Sequence, residues 1–220
     1  MAGVEILFIL MLFILLLNDA SVLRKLNQEV AASFQQPVPA ATPLISEVVL
    51  PEGHTPPNVL GEAQPNQVEI PEYLRPLVQS LANIPNPTLG SQQAVRIQIP
   101  AIEVDAPVVQ GDGWEQLKLG VAQHVGTPNP GENGNIVLSG HNDVYGEVFR
   151  YLERLTPGDV VILFTVQRQY TYVITEIQIV KPTQVEVMDP TSNPTLTLIS
   201  CHPYLVDNHR IVISAVLRDS

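Results

Sequence analysis

From about Val95 onward the texture of the chain changes: VRIQI alternates, and the runs that follow keep a β pattern or are short and apolar. VRIQI (95–99), IEVDAPVV (102–109), GNIVLSG (134–140), DVVILFT (159–165), YTYVITEIQIV (170–180), TLTLIS (195–200) and RIVISAVL (210–217) are short runs rich in Val, Ile and Thr. A two-residue period sends successive side chains to opposite faces, which suits a strand and not a helix. Gly- and Pro-bearing turns separate the runs, the signature of an all-β barrel or sandwich. Twenty prolines in 220 residues exclude a helical bundle, because proline breaks helix interiors. The expectation is an all-β fold: a closed or nearly closed β-barrel of about eight strands. Short helices around Val148–Leu152 and Trp114–Leu119 interrupt it.

The chain before the barrel has two further textures. Residues 6–17 contain no polar side chain. As a helix these twelve residues would rise about 18 Å, against a hydrocarbon core of about 30 Å. No basic segment precedes the run, and Leu17-Asn18-Asp19-Ala20 is a poor cleavage site. Residues 1–26 are therefore read as an N-terminal signal anchor, a transmembrane helix that stays in the membrane. Arg24 and Lys25 follow the span, contrary to the positive-inside rule for an exported domain. Residues 27–90 are read as a Pro-rich extracellular linker. Residues 37–90 hold eleven prolines and one basic residue, Arg75, a composition that buries too little apolar surface to offset backbone entropy. Leu74, Leu77, Val78 and Leu81 share one helical face, so a short helix is expected over 72–83. Residues 91–220 form the folded domain.

Charge and cysteine content narrow the function. A net charge of -11 argues against nucleic acid as a partner. One cysteine excludes an intramolecular disulfide framework and a Cys-rich zinc ribbon. That cysteine, Cys201, ends the TLTLIS strand and enters the polar loop HPYLVDNH. A lone cysteine is often simply buried, but a strand-end thiol in an exported domain is a candidate nucleophile. His141 also follows a strand and a glycine, IVLSG, where it can serve as general acid and base. Arg210 opens the next strand, nine residues after Cys201. If the two strands pair antiparallel, Cys201 and Arg210 meet at one rim. A fixed cation there can hold the oxygen that turns negative when a thiolate attacks a carbonyl. The alternative for Arg210 is a rim salt bridge, for instance with Asp207. A metal site from His141, Cys201, His202 and His209 is the rival use, but no paired-ligand spacing supports it. No metal and no cofactor are expected. His124 and His54 belong to no motif, and His54 lies in the Pro-rich stretch.

These segments, in order, resemble the sortases, the cysteine transpeptidases of bacterial cell surfaces. RIQIPAIEVDAPVV resembles the opening strands, GENGNIVLSGHND the segment with the catalytic His, and TLISCHPYLVDNHRIVI the strand, loop and strand carrying the Cys and Arg. The resemblance covers about residues 95–217. It implies Cys201 as nucleophile and acyl-thioenzyme, His141 as proton donor and acceptor, and Arg210 as substrate and oxyanion stabiliser. Ser200 stands where Thr is usual before the Cys, and His202 where Thr is common after it. With Asn142, these two are candidate substrate contacts. The short Cys-to-Arg loop resembles class D or E enzymes, or class C without its lid. The Asp-Pro-aromatic lid sequence of many pilin-type enzymes does not precede the domain: the sole Asp-Pro is Asp189-Pro190, followed by Thr191.

The resemblance further implies cleavage of an LPxTG- or LAxTG-like C-terminal sorting signal after Thr. The acyl group would pass to an amine of peptidoglycan or of a pilin. The partners would be surface proteins bearing that signal, and the domain would stand outside the cell on a single-pass anchor. A secreted cysteine protease using water, and an inactive surface binding module, are the alternatives.

Overall fold

The run of strands that begins near Val95 closes on itself. A computed structural model of the chain describes residues 49–51, 53–58, 63–75 and 90–218. Eight strands form a barrel: β1 (Arg96–Ile99), β2 (Val104–Gln110), β3 (Val121–Gln123), β4 (Gly134–Ser139), β5 (Val160–Phe164), β6 (Gln169–Val180), β7 (Pro194–His202) and β8 (His209–Leu217). Their order around the barrel is β1-β2-β3-β4-β7-β8-β6-β5, with β5 pairing back on β1. Closure leaves no open sheet edge. The β2–β3 and β4–β7 pairs are parallel and the rest antiparallel.

Seven of the strands coincide with the Val-, Ile- and Thr-rich segments. The eighth, β3, has three residues, too few to show a period. The expected helix at Trp114 is one α-helical turn, α1 (Trp114–Leu117), and the one expected near Val148 is a 3-10 turn at Leu152–Arg154. Inward side chains fill the barrel. Ile97, Ile99, Ile136, Leu138, Leu163, Leu196, Leu198 and Ile213 are all fully buried. Each contributes about 1.5–3 kcal/mol relative to exposure. A second, smaller cluster on the outside joins Val137, Val180, Ile199 and Val212 to Leu50, a residue of the Pro-rich stretch.

That stretch is where structure and composition part. Its described residues lie along the barrel and are here called the strap. Leu50 is buried and its N–H donates to the Pro182 carbonyl (2.7 Å). Two short segments run antiparallel, with Thr55 N–H to the Gln64 carbonyl (2.8 Å), Asn66 N–H to the Gly53 carbonyl (2.7 Å), and a bridge between His54 and Pro65. Low mean apolarity therefore coexists with a few deeply held residues. Of the helix expected over 72–83, Glu72–Leu74 forms a 3-10 turn, and 76–83 lies outside the described residues. The signal anchor at 1–26 also lies outside them. Among the described residues no helix is long and apolar enough to cross a membrane.

Candidate active site

The site is assembled by register. Parallel pairing sets Ser139 of β4 opposite Ile199 of β7. Two residues further along each chain, His141 and Cys201 emerge at the same end of the barrel. Antiparallel pairing then sets Cys201 directly opposite Arg210 of β8. Gly140 lets Val148 and Phe149 pack close against the chain before His141: a Cβ there would stand 2.8 Å from Val148 Cγ1 and 2.9 Å from Phe149 Cδ2. The loop from β7 to β8 is tight. Leu205 and Asp207 adopt left-handed backbone angles (φ 61° and 58°), uncommon for residues other than glycine.

All three residues are buried: Cys201 1 %, His141 0 % and Arg210 0 % exposed. What covers them is the strap. Arg210 donates from Nε to the Pro51 carbonyl (3.0 Å) and from Nη2 to Glu69 Oε2 (2.6 Å). Its Nη1 donates to the backbone carbonyls of His209 (3.0 Å) and Asp207 (3.3 Å). The carboxylate partner of Arg210 is thus Glu69, and Asp207 offers it only a main-chain oxygen.

His54 sits at the centre. Its ring lies 5.0 Å from that of His141, edge to face, with Trp114 and Tyr145 completing an aromatic wall around His141. His54 Nε2 is 3.2 Å from Asp143 Oδ1, close but not aligned for a hydrogen bond, and Nδ1 is 3.9 Å from Asp207 Oδ2. Burial opposes charge on His54, but contacts with Asp143 and Cys201 outweigh it and push its pKa up to about 11. Burial, and then the Asp143 charge, raise Asp207 to about 7. His141 goes the other way, down to about 3, first through burial and then through the charges of His54 and Lys118. Neither of its ring nitrogens has a hydrogen-bond partner among the described residues.

The signs of these shifts matter. His141 is neutral across the ordinary range while the strap is docked. Its neutral state favours the closed arrangement fully above about pH 6.5, and that contribution is lost as pH falls through about 3. The His54 proton favours closure below about 6.5 and is lost as pH rises toward 11. His54→Ala removes a neighbouring cation and admits water, so the pKa of His141 is expected to climb toward 6.5. Imidazole chemical shifts followed by NMR against pH report it directly. An unchanged titration would show that His54 does not set the state of His141.

The other sequence candidates occupy supporting positions. Ser200 is fully buried and its hydroxyl donates to the Gly140 carbonyl (2.6 Å), tying the ends of β4 and β7. Asn142 is buried and its Nδ2 donates to the Cys201 carbonyl (2.9 Å). His202 is half-buried and lines a small cleft with Cys201, Asn142, Arg150, Glu153 and Tyr204. His209 bonds its neighbour Asn208 and does not join the central group. Sequence reading passed over His54 and Glu69, which carry no motif and no periodicity.

A family model described as the sortase domain matches residues 97–218. Among curated proteins, sortase A of Bacillus anthracis is 30 % identical over 139 residues, covering 62 % of this chain and 66 % of its own length. Sortase D of Bacillus subtilis is 32 % identical over 119 residues, 54 % of this chain and 58 % of its own length. The chain thus spans under two-thirds of each of these relatives. Among solved structures, a mutant sortase E from Streptomyces avermitilis superposes with a TM-score of 0.53 at 31 % identity, covering 60 % of this chain and 91 % of that one.

Proposed function

The chain belongs to the sortase family, and from that premise we propose that it is a cysteine transpeptidase. Cys201 is the nucleophile, His141 the proton donor and acceptor, and Arg210 the group that binds substrate and stabilises the oxyanion. The reading is carried by one observation: Cys201 and Arg210 are cross-strand partners, and His141 leaves the adjoining parallel strand at the same level.

Chemistry follows from that placement. The Cys201 thiolate attacks the scissile carbonyl, and the oxygen gathers negative charge within reach of Arg210. The guanidinium already holds a backbone oxygen, that of Pro51, as it would hold the substrate's. An amine leaves only when protonated, so His141 supplies the proton, and an acyl-thioester remains on Cys201. An incoming amine then attacks, giving its proton to His141 and releasing Cys201. The docked strap holds back two parts of this sequence at once, occupying Arg210 and keeping His141 neutral. The resting state is therefore closed, and substrate or a partner displaces the strap.

The substrate class is a C-terminal sorting signal of LPxTG or LAxTG type, cut after Thr, with a cell-wall or pilin amine as acceptor. The N-terminal apolar run would hold the domain at the outer face of the membrane, where both substrates concentrate. The test is intact-mass spectrometry of the full chain with a small library of such peptides, with and without triglycine, beside Cys201→Ala. The expected result is an acyl adduct absent from Cys201→Ala and drained faster by triglycine. An adduct drained only by water would indicate a protease. No adduct even after strap release by Glu69→Ala would indicate a binding module.

A further inference from the structure

We propose that His54, Cys201 and Asp207 form a site for a borderline-soft divalent cation, zinc above all, which clasps the strap over the nucleophile. One ligand atom from each of the three residues lies within 4.8 Å of the other two, and all three residues are buried. They supply one imidazole nitrogen, one sulfur and one carboxylate oxygen, the donor set zinc favours. Zinc–ligand bonds of about 2.0–2.3 Å put tetrahedral ligands roughly 3.3–3.8 Å apart. A contraction of about 1–1.5 Å at most closes the site around the ion.

Two independent features point to a cation. First, both carboxylate oxygens of Asp207, a residue 2 % exposed, and both of Asp143, 7 % exposed, have no hydrogen-bond partner among the described residues. Desolvated carboxylates without donors are costly, and native structures leave few of them. Asp143 Oδ1 lies 3.2 Å from His54 Nε2, beside the three-residue group and not within it. Second, His54 turns a ring nitrogen toward each carboxylate, Nδ1 at 3.9 Å from Asp207 Oδ2 and Nε2 at 3.2 Å from Asp143 Oδ1. Its Nδ1 lies 3.0 Å from the Thr55 carbonyl. Either nitrogen can take the ion: with Nδ1 bound, the Nε2 proton faces Asp143, and with Nε2 bound, the Nδ1 proton goes to Thr55, so the ring stays oriented in both cases.

With no metal, the proton on His54 partly neutralises the two carboxylates. Metal binding displaces that proton and the one on sulfur to solvent, and the ion takes over their role. The ligands come from two parts of the chain, His54 from the strap and the others from the barrel rim. Binding therefore closes the strap and takes Cys201 out of reach. The ion would take the sulfur of Cys201 itself, so the site suits holding the strap and not catalysis. Magnesium and calcium, which prefer all-oxygen shells, should not compete. The site does not depend on the transpeptidase reading, because its readouts use no sorting signal.

The experiment titrates the full, chelator-stripped chain with cobalt(II) as the visible stand-in, then with zinc. The expected result is one equivalent bound, with a thiolate-to-cobalt charge-transfer band and the visible bands of a tetrahedral site, both erased by zinc. His54→Ala and Asp207→Asn, one on each side of the clasp, should each weaken binding at least ~10-fold. Zinc should also slow iodoacetamide alkylation of Cys201 in the parent chain but not in His54→Ala. No stoichiometric binding overturns the proposal. So does binding without the sulfur band, or binding that both substitutions leave intact. Acyl-adduct formation in the presence of chelator tests the transpeptidase reading separately, so either can fail alone.

Discussion

Glu69→Ala should expose Cys201, raising its rate of alkylation by iodoacetamide about 10- to 100-fold at neutral pH. The size follows from the contact removed. Glu69 Oε2 accepts a 2.6 Å charge-assisted bond from Arg210 Nη2, and the two side chains are 12 % and 0 % exposed. Hydrogen bonds to charged groups contribute about 1.5–3 kcal/mol, and 1.4 kcal/mol is tenfold in an equilibrium. Breaking a buried ion pair from one side commonly costs more, about 3–5 kcal/mol, because the orphaned charge stays buried. Here the orphan has an escape. If the strap lifts, water reaches Arg210, so the penalty appears as strap release and not as unfolding. The barrel's melting temperature should accordingly change little while alkylation rises. Glu69→Gln, which keeps a hydrogen bond and loses the charge, should fall between. Gly53→Ala offers a check that leaves both charges in place: its Cβ would stand 2.5 Å from Glu69 Oε2 and 3.0 Å from Arg210 Nη2. It should prise the pair apart and act in the same direction. Alkylation unchanged in both Glu69→Ala and Gly53→Ala would show that the strap is held by other contacts, Leu50 and His54 first among them.

The division between what the residues announced and what they concealed has a physical basis. β1, β2 and β4 to β8 were legible because each is an alternating or wholly apolar run, rich in β-branched residues, between turn residues. β3 was not, since Val121–Gln123 is held by its neighbours' register and not by its own pattern. Cys201 and Arg210 could be placed at one rim because antiparallel pairing across a short loop is local in sequence. The parallel β4–β7 pairing that brings His141 beside them is not, and His141 was assigned by the family resemblance. The strap could not be read. Composition is an average over a window, and a Pro-rich window averages to a spacer. Docking here depends on a few side chains spaced well apart, Leu50 in an apolar cleft, His54 among carboxylates and Glu69 on Arg210. Each is captured by a partner more than eighty residues away. The familiar Asp-Pro-aromatic sequence is absent from this stretch, yet the stretch covers the site by another chemistry, which no motif search would find.

Arg210→Gln should separate the two roles of that side chain by driving two measurements in opposite directions. Acylation by a sorting-signal peptide should fall about 10²- to 10³-fold in kcat, the usual loss when a preorganised oxyanion donor is removed. Gln keeps a donor, but it is neutral and too short to reproduce the guanidinium's bonds to Pro51, Asp207, His209 and Glu69. Alkylation of Cys201 should rise in the same variant, because Glu69 loses its partner and the strap loses a clamp. Iodoacetamide needs only access to the sulfur, whereas the peptide needs access and a cation beside the developing oxyanion. A purely structural role for Arg210 predicts something else: both rates would move together, downward if the rim collapses or upward if only the strap is freed. Combining Arg210→Gln with Glu69→Ala sharpens the separation. If Arg210 acts on the strap only through Glu69, the double variant should alkylate no faster than Glu69→Ala alone. Its acylation should remain as slow as that of Arg210→Gln, since releasing the strap cannot replace the missing charge.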